Sequence, residues 1–81
     1  MEYSDLIIEL KDIKSQLRRT FSKSLRLGKE TYEDMNYFVS GNLRNLLRAL
    51  DVQIQEIDFS IHYVGDLKEN VEMNKIENGD K

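Results

Sequence analysis

The feature that most constrains this chain is a run of ten apolar residues, Tyr32, Met35, Val39, Leu43, Leu46, Leu50, Ile54, Ile57, Ile61 and Val64. They follow one another at gaps of three and four, the repeat of one face of an α-helix. No proline occurs anywhere in the sequence to break it. A shorter series precedes it, in which Leu6, Leu10, Ile13, Leu17, Phe21 and Leu25 keep similar spacing. Ser4 or Asp5 stands where an N-cap would close the first turn. Two helices are therefore expected, one from about 4 to 27 and one from about 31 to 67.

The punctuation between them is read from "RLGKETYED". Gly28 suits the left-handed residue that follows a last helical turn. Thr31, with Asp34 three residues on, resembles a capping box for the second helix. Gly41 costs roughly 1 kcal/mol relative to alanine inside a helix, so it marks a kink or a break, with Ser40 or Asn42 as the cap of a separate segment. The expected fold class is all-α: an antiparallel two-helix hairpin over residues 1–70, with the second helix longer. Residues 71–81, acidic and without a clean period, read as a flexible tail.

One stretch admits a second reading. In "VQIQEIDFSIHYV", Val52 and Ile54, then Ile57, Phe59, Ile61 and Tyr63, alternate as a bulged strand would, and the residues are those strands favour. The chain offers no second strand to pair with it, so the strand would require another molecule. The helical reading is preferred. In it Val52, Phe59 and Tyr63 form a second apolar face, and a helix apolar on two sides is buried on two sides.

Lengths point the same way. The first expected helix spans about 35 Å and the second about 52 Å at 1.5 Å per residue. Folded back, the first would leave the segment ending in "SIHYVGDL" uncovered, and something must dock there. Composition adds the need. With 81 residues the chain buries only about 60% of its unfolded surface, and it has no cysteine for a disulfide. Small folds of this kind gain stability from a partner or from oligomerisation.

Little in the sequence points to chemistry. The single histidine, His62, has Asp58 and Asp66 one helical turn away on either side, and an Asp–His pair can form a general base. A nucleophile and a cleft are missing, so His62 reads as a surface residue. The acids do not have calcium-loop spacing, and no phosphate loop, nucleophile elbow or zinc signature occurs. No catalytic, cofactor-binding or metal-binding residue is expected, and the chain is read as a protein other than an enzyme. The longest apolar run is three residues, too short to span a bilayer, and "MEYSDLIIELKD" lacks the pattern of a secretory signal, so a cytoplasmic location is expected.

The net charge of −3 is unevenly distributed. Residues 1–50 hold nine Lys or Arg against seven acids, and residues 51–81 three against eight. The stretch "RRTFSKSLRLGK" carries Arg18, Arg19, Lys23, Arg26 and Lys29 without an acid. It could read as a nucleic-acid patch, but no reading motif accompanies it. Cations gathered against the dipole at a helix C-terminus explain it more simply.

Against this background "IHYVGDLK", Ile61 to Lys68, resembles the end of the small co-chaperones of type III secretion needle subunits, the YscE/PscE type. "RALDVQIQEID" is loosely similar to their second helix. This sequence has a shorter Val64–Gly65 junction and a second helix longer by about two turns. The resemblance implies a two-helix protein of the bacterial cytoplasm that binds and stabilises a helical-repeat chaperone. That pair would hold the needle subunit unpolymerised, and the small member alone would form a homodimer. The expected docking residues are Leu47, Val52, Phe59, Ile61, Tyr63 and Val64, with Asp58 and Asp66 as charged rim groups. The rival readings are a small phage or bacterial homo-oligomeric regulator and a nucleic-acid-binding regulator using Arg18 to Lys29.

Overall fold

The structure, a computed structural model, describes the backbone of residues 1–79 and the side chains of residues 1–73. It consists of two antiparallel helices, α1 (Tyr3–Glu33) and α2 (Tyr37–Gly79), joined by a three-residue turn. No strand occurs among the described residues, so the alternation seen in residues 52–64 is not a strand. The rod measures 70 × 15 × 15 Å. α2 is continuous through Gly41, with no kink or separate third helix. It also carries on to Gly79, through the stretch expected to be a flexible tail, while residues 80 and 81 lie outside the described part.

The helices meet along a seam that repeats at alternating gaps of three and four, the heptad spacing of a coiled coil. On α1 the seam runs through Ile7, Leu10, Lys14, Leu17, Phe21, Ser24, Gly28 and Thr31, all buried or half-buried. On α2 it runs through Ser40, Leu43, Leu47, Leu50, Ile54, Ile57, Ile61, Val64 and Lys68. A count of apolar residues alone misplaces the α1 face by part of a turn. Ile13 and Leu25 lie outside the seam, and Lys14, Ser24 and Gly28 lie inside it. Among the described apolar residues only Leu50 and Val64 are buried, at 7% and 8% exposed, and none is fully enclosed.

The turn differs from the expected one. Gly28 has an ordinary helical backbone, since no glycine among the described residues adopts positive φ. It lies in the seam, where a Cβ would meet the Leu43 Cβ at 3.8 Å, an ordinary contact distance. The Ser40 hydroxyl donates to the Gly28 carbonyl at 3.1 Å and ties the two helices together near the turn. Thr31 caps nothing, because its hydroxyl turns back to the Leu27 and Gly28 carbonyls inside α1.

α1 ends instead at Met35, the one non-glycine residue with positive φ among the described residues, at 60°. The Asn36 amide donates to the Thr31 carbonyl at 2.8 Å and the Met35 amide to the Tyr32 carbonyl at 3.0 Å. Those two bonds make a Schellman motif, with Met35 in the place glycine usually takes. Asn36 then opens α2: its carbonyl accepts the Ser40 amide at 3.0 Å, and its side chain lies 3.5 Å from the Val39 amide.

Because α1 is longer than expected and begins at Tyr3, it lies alongside α2 as far as Val71 and Glu72. Met1 to Ser4 share a groove with Lys68, Val71 and Glu72. The segment ending in "SIHYVGDL" is therefore not bare: its seam side is covered by α1.

These assignments predict two stability changes measurable by urea unfolding. Gly28→Ala should stabilise the hairpin by about 0.5–1 kcal/mol, since the new methyl has room and the helix gains propensity. Were Gly28 a left-handed terminator, the same change would destabilise it. Met35→Gly should also stabilise, by about 1 kcal/mol, by relieving a left-handed non-glycine residue.

Candidate protein-docking surface

The antiparallel seam gives the hairpin two unlike sides. In such a pair the same flanking heptad position from each helix falls on the same side. One side carries Lys11, Arg18, Leu25 and Tyr32 of α1 with Arg44, Asp51, Asp58 and Glu72 of α2. Leu25, Tyr32 and Arg44 line one groove there, of about 340 Å³, together with Gly28, Ser40 and Leu47. Across this side Lys14 forms an ion pair with Asp58. The Lys14 ammonium donates a hydrogen bond that holds the Asp58 carboxyl below its ordinary range, with smaller help from Arg18 and His62. Asp58 is thus an internal strut of the hairpin, although as an exposed acid it had been expected at an interface rim.

The other side has no charge at the positions that flank the seam, although Glu9, Lys23, Glu30 and Glu56 lie just outside them. Its flanking positions are Leu6, Ile13, Thr20 and Leu27 on α1, and Val39, Leu46, Gln53, Ser60 and Leu67 on α2.

A third surface is the back of α2, turned away from α1. The backs of the two helices differ. α1 carries Asp5, Asp12, Arg19, Arg26 and Glu33 there, whereas α2 carries Phe38, Asn45, Val52, Phe59 and Asp66, with Tyr63 beside Phe59. Phe59 is 72% exposed and its ring stacks on that of Tyr63, one turn later, with centroids 6.5 Å apart and planes 10° from parallel. Two rings fixed against each other lose little further freedom on docking, which suits them as anchors.

The six expected docking residues divide accordingly. Val52, Phe59 and Tyr63 are exposed together on the back of α2. Val64 is buried in the seam, and Leu47 and Ile61 are half-buried there. The sequence reading placed Ile61 and Val64 at an interface because α1 had been ended a turn and a half early.

Sequence reasoning missed the apolar turn. Phe38 is 81% exposed, Met35 and Tyr37 are exposed beside it, and Tyr32 meets Tyr37 edge-on with centroids 5.2 Å apart. The signal available was "MNYFV" itself, four apolar residues at the point where the chain reverses, but Met35 and Val39 had been assigned to a helix face and Tyr37 and Phe38 to none.

His62 is exposed and lines neither of the grooves described above. Among the described residues no group of three His, Cys, Asp or Glu could hold a metal ion. Among them, too, no helix is long and apolar enough to cross a membrane. The cations from Arg18 to Lys29 are not at a helix end: the last turn of α1 contains no basic residue, so the dipole explanation for them does not apply. No family model, curated protein or solved structure matches the chain.

The Lys14–Asp58 pair predicts a pH dependence. A depressed carboxyl stabilises the fold above its unfolded pKa of about 3.9, and that contribution is lost as pH falls through the lower native value. Asp58→Asn should therefore be less stable than the native chain at neutral pH. Thermal unfolding near pH 2 should bring the two together. A stability gap that is equal at both pH values would show that the pair contributes nothing.

Proposed function

We propose that this chain is a non-catalytic, protein-binding hairpin that serves as a co-chaperone in the bacterial cytoplasm. In this reading it binds and stabilises a helical-repeat chaperone that keeps a type III secretion needle subunit from polymerising. The observation that carries the docking role is the Val52–Phe59–Tyr63 face. α2 is already paired with α1 on one side, and it still presents a stacked aromatic pair on the opposite side. A groove between the helices of a repeat protein accepts such a helix through residues one or two turns apart. The likeness of "IHYVGDLK" to the needle-subunit co-chaperones supplies the identity of the partner.

The reading is tested by capture from the native cell, with the recovered proteins identified by mass spectrometry, followed by calorimetry with the purified partner. A helical-repeat chaperone recovered with a needle-type subunit supports it. Phe59→Ala or Tyr63→Ala should then weaken binding by about 2 kcal/mol or more. Unchanged affinity in both variants would rule out this face. Val64→Ala should act differently, destabilising the hairpin by about 2 kcal/mol with little effect on the affinity of the folded molecules.

A further inference from the structure

The groove beside the turn joins an apolar floor to unpaired positive charge, and the two together define an occupant. It lies between the helices on the side of Leu25, Tyr32 and Arg44 and has a volume of about 340 Å³. Leu25 and Leu47 line its far end, Tyr32 and Ser40 the end nearer the turn, and Gly28 the floor between them. Leu25 and Tyr32 are both exposed. The Tyr32 ring is held in place as a wall by its edge-on contact with Tyr37, centroids 5.2 Å apart.

Nothing in the hairpin itself requires glycine at position 28. The backbone there is ordinary helix, and a Cβ would sit 3.8 Å from the Leu43 Cβ, in normal contact. Glycine at such a place still costs about 0.5–1 kcal/mol relative to alanine. What it supplies is depth, because the missing side chain lets an incoming group reach the backbone between Leu25 and Tyr32. Stability given up without a conformational or packing return is the mark of a surface shaped for binding.

Charge selects what binds. Lys29 of α1 and Arg44 of α2 stand on opposite banks, against one acid in the lining, Glu33. Arg18 continues the same side, with Arg48 one turn beyond Arg44, and Asp51 opposes them. Over the half of the hairpin nearer the turn, residues 18–51, seven Lys or Arg stand against four acids, Glu30, Glu33, Asp34 and Asp51. The remainder of the chain carries five against eleven, so the positive excess is confined to this half. Among the described residues the only salt bridge is Lys14–Asp58, which leaves Lys29 and Arg44 without an acidic partner.

A valley between two packed helices takes a third helix. An apolar floor between cationic banks matches a helix that carries leucine-type side chains at gaps of three and four, with Asp or Glu on both flanks. Tyrosine and arginine are residue types that often dominate such contacts, and charge complementarity decides which partner is admitted. We infer that this groove docks an acidic amphipathic helix of a partner protein, completing a three-helix bundle at the turn end of the rod. The site is separate from the Phe59–Tyr63 face and does not rest on the partner proposed for that face.

The test titrates the isotope-labelled full chain with a capped peptide of about sixteen residues, leucine at helical gaps of three and four and glutamate on both flanks. Amide shifts should move at Gly28, Ser40 and Leu47, with saturable binding in the micromolar range. A peptide with lysine in place of each glutamate should bind at least about ten-fold more weakly. Arg44→Glu should weaken the glutamate peptide at least about ten-fold and strengthen the lysine peptide, a reversal that mere loss of structure would not produce. Gly28→Ala should weaken binding about five-fold while raising the urea midpoint, and Phe59→Ala should leave binding unchanged. Absence of binding overturns the proposal, as does equal binding of the two peptides. Full affinity in Gly28→Ala overturns the role given to the floor. A duplex oligonucleotide that moves the same amides with equal or higher affinity assigns the cations to nucleic acid and overturns the acidic helix.

Discussion

Two helices can bury only one stripe of each other, and every other property of this protein depends on that limit. A helix in a hairpin has one neighbour, so seam side chains are covered from one direction and stay open at their margins. Among the described apolar residues only Leu50 and Val64 escape this. The core is a line with no second layer to thicken it. Such a fold is held by the length of its seam, and α1 accordingly runs uninterrupted from Tyr3 to Glu33. The small residues Ser24, Gly28 and Ser40 let the helices approach closely near the turn, where the Ser40 hydroxyl reaches the Gly28 carbonyl. The Lys14–Asp58 pair ties the middle of the same seam.

The same limit leaves apolar surface over. The back of α1 is charged, while the back of α2 exposes Phe38, Val52 and Phe59, and on one side of the hairpin the positions flanking the seam are uncharged. An isolated hairpin has no use for either surface. Their presence is the physical basis for reading the protein as one that works by association. The stacked Phe59–Tyr63 pair is local and suits a small, specific contact.

The helical nature of both segments was legible in the spacing of the apolar residues and the absence of proline, and the second apolar face in Val52, Phe59 and Tyr63 was legible too. Helix ends were less so. Gly28 and Thr31 carry the residue types of a terminator and a cap, yet a helix does not stop where a permissible stopping residue occurs if packing continues beyond it. Seam contacts at Gly28 and Thr31 outweigh the modest cost of glycine in a helix, roughly 1 kcal/mol. The chain turns at Met35, which has no compositional mark of a left-handed residue. That error propagated to the docking residues: with α1 ended early, Ile61 and Val64 looked bare, and in the hairpin they are covered.

The sequence by itself therefore determined the class of fold, because helical periodicity is a local property that residues within a few turns decide among themselves. It determined as well that α2 carries more apolar surface than α1 can cover. Tertiary structure alone decided which apolar residues are spent inside the hairpin and which remain outside. That division depends on the register between two antiparallel helices, and register is set by lateral fit: a glycine under Leu43, a lysine reaching Asp58, a serine bonded across the turn. None of these pairings is written in the spacing along one helix, because each joins residues that only the reversal at Met35 brings side by side.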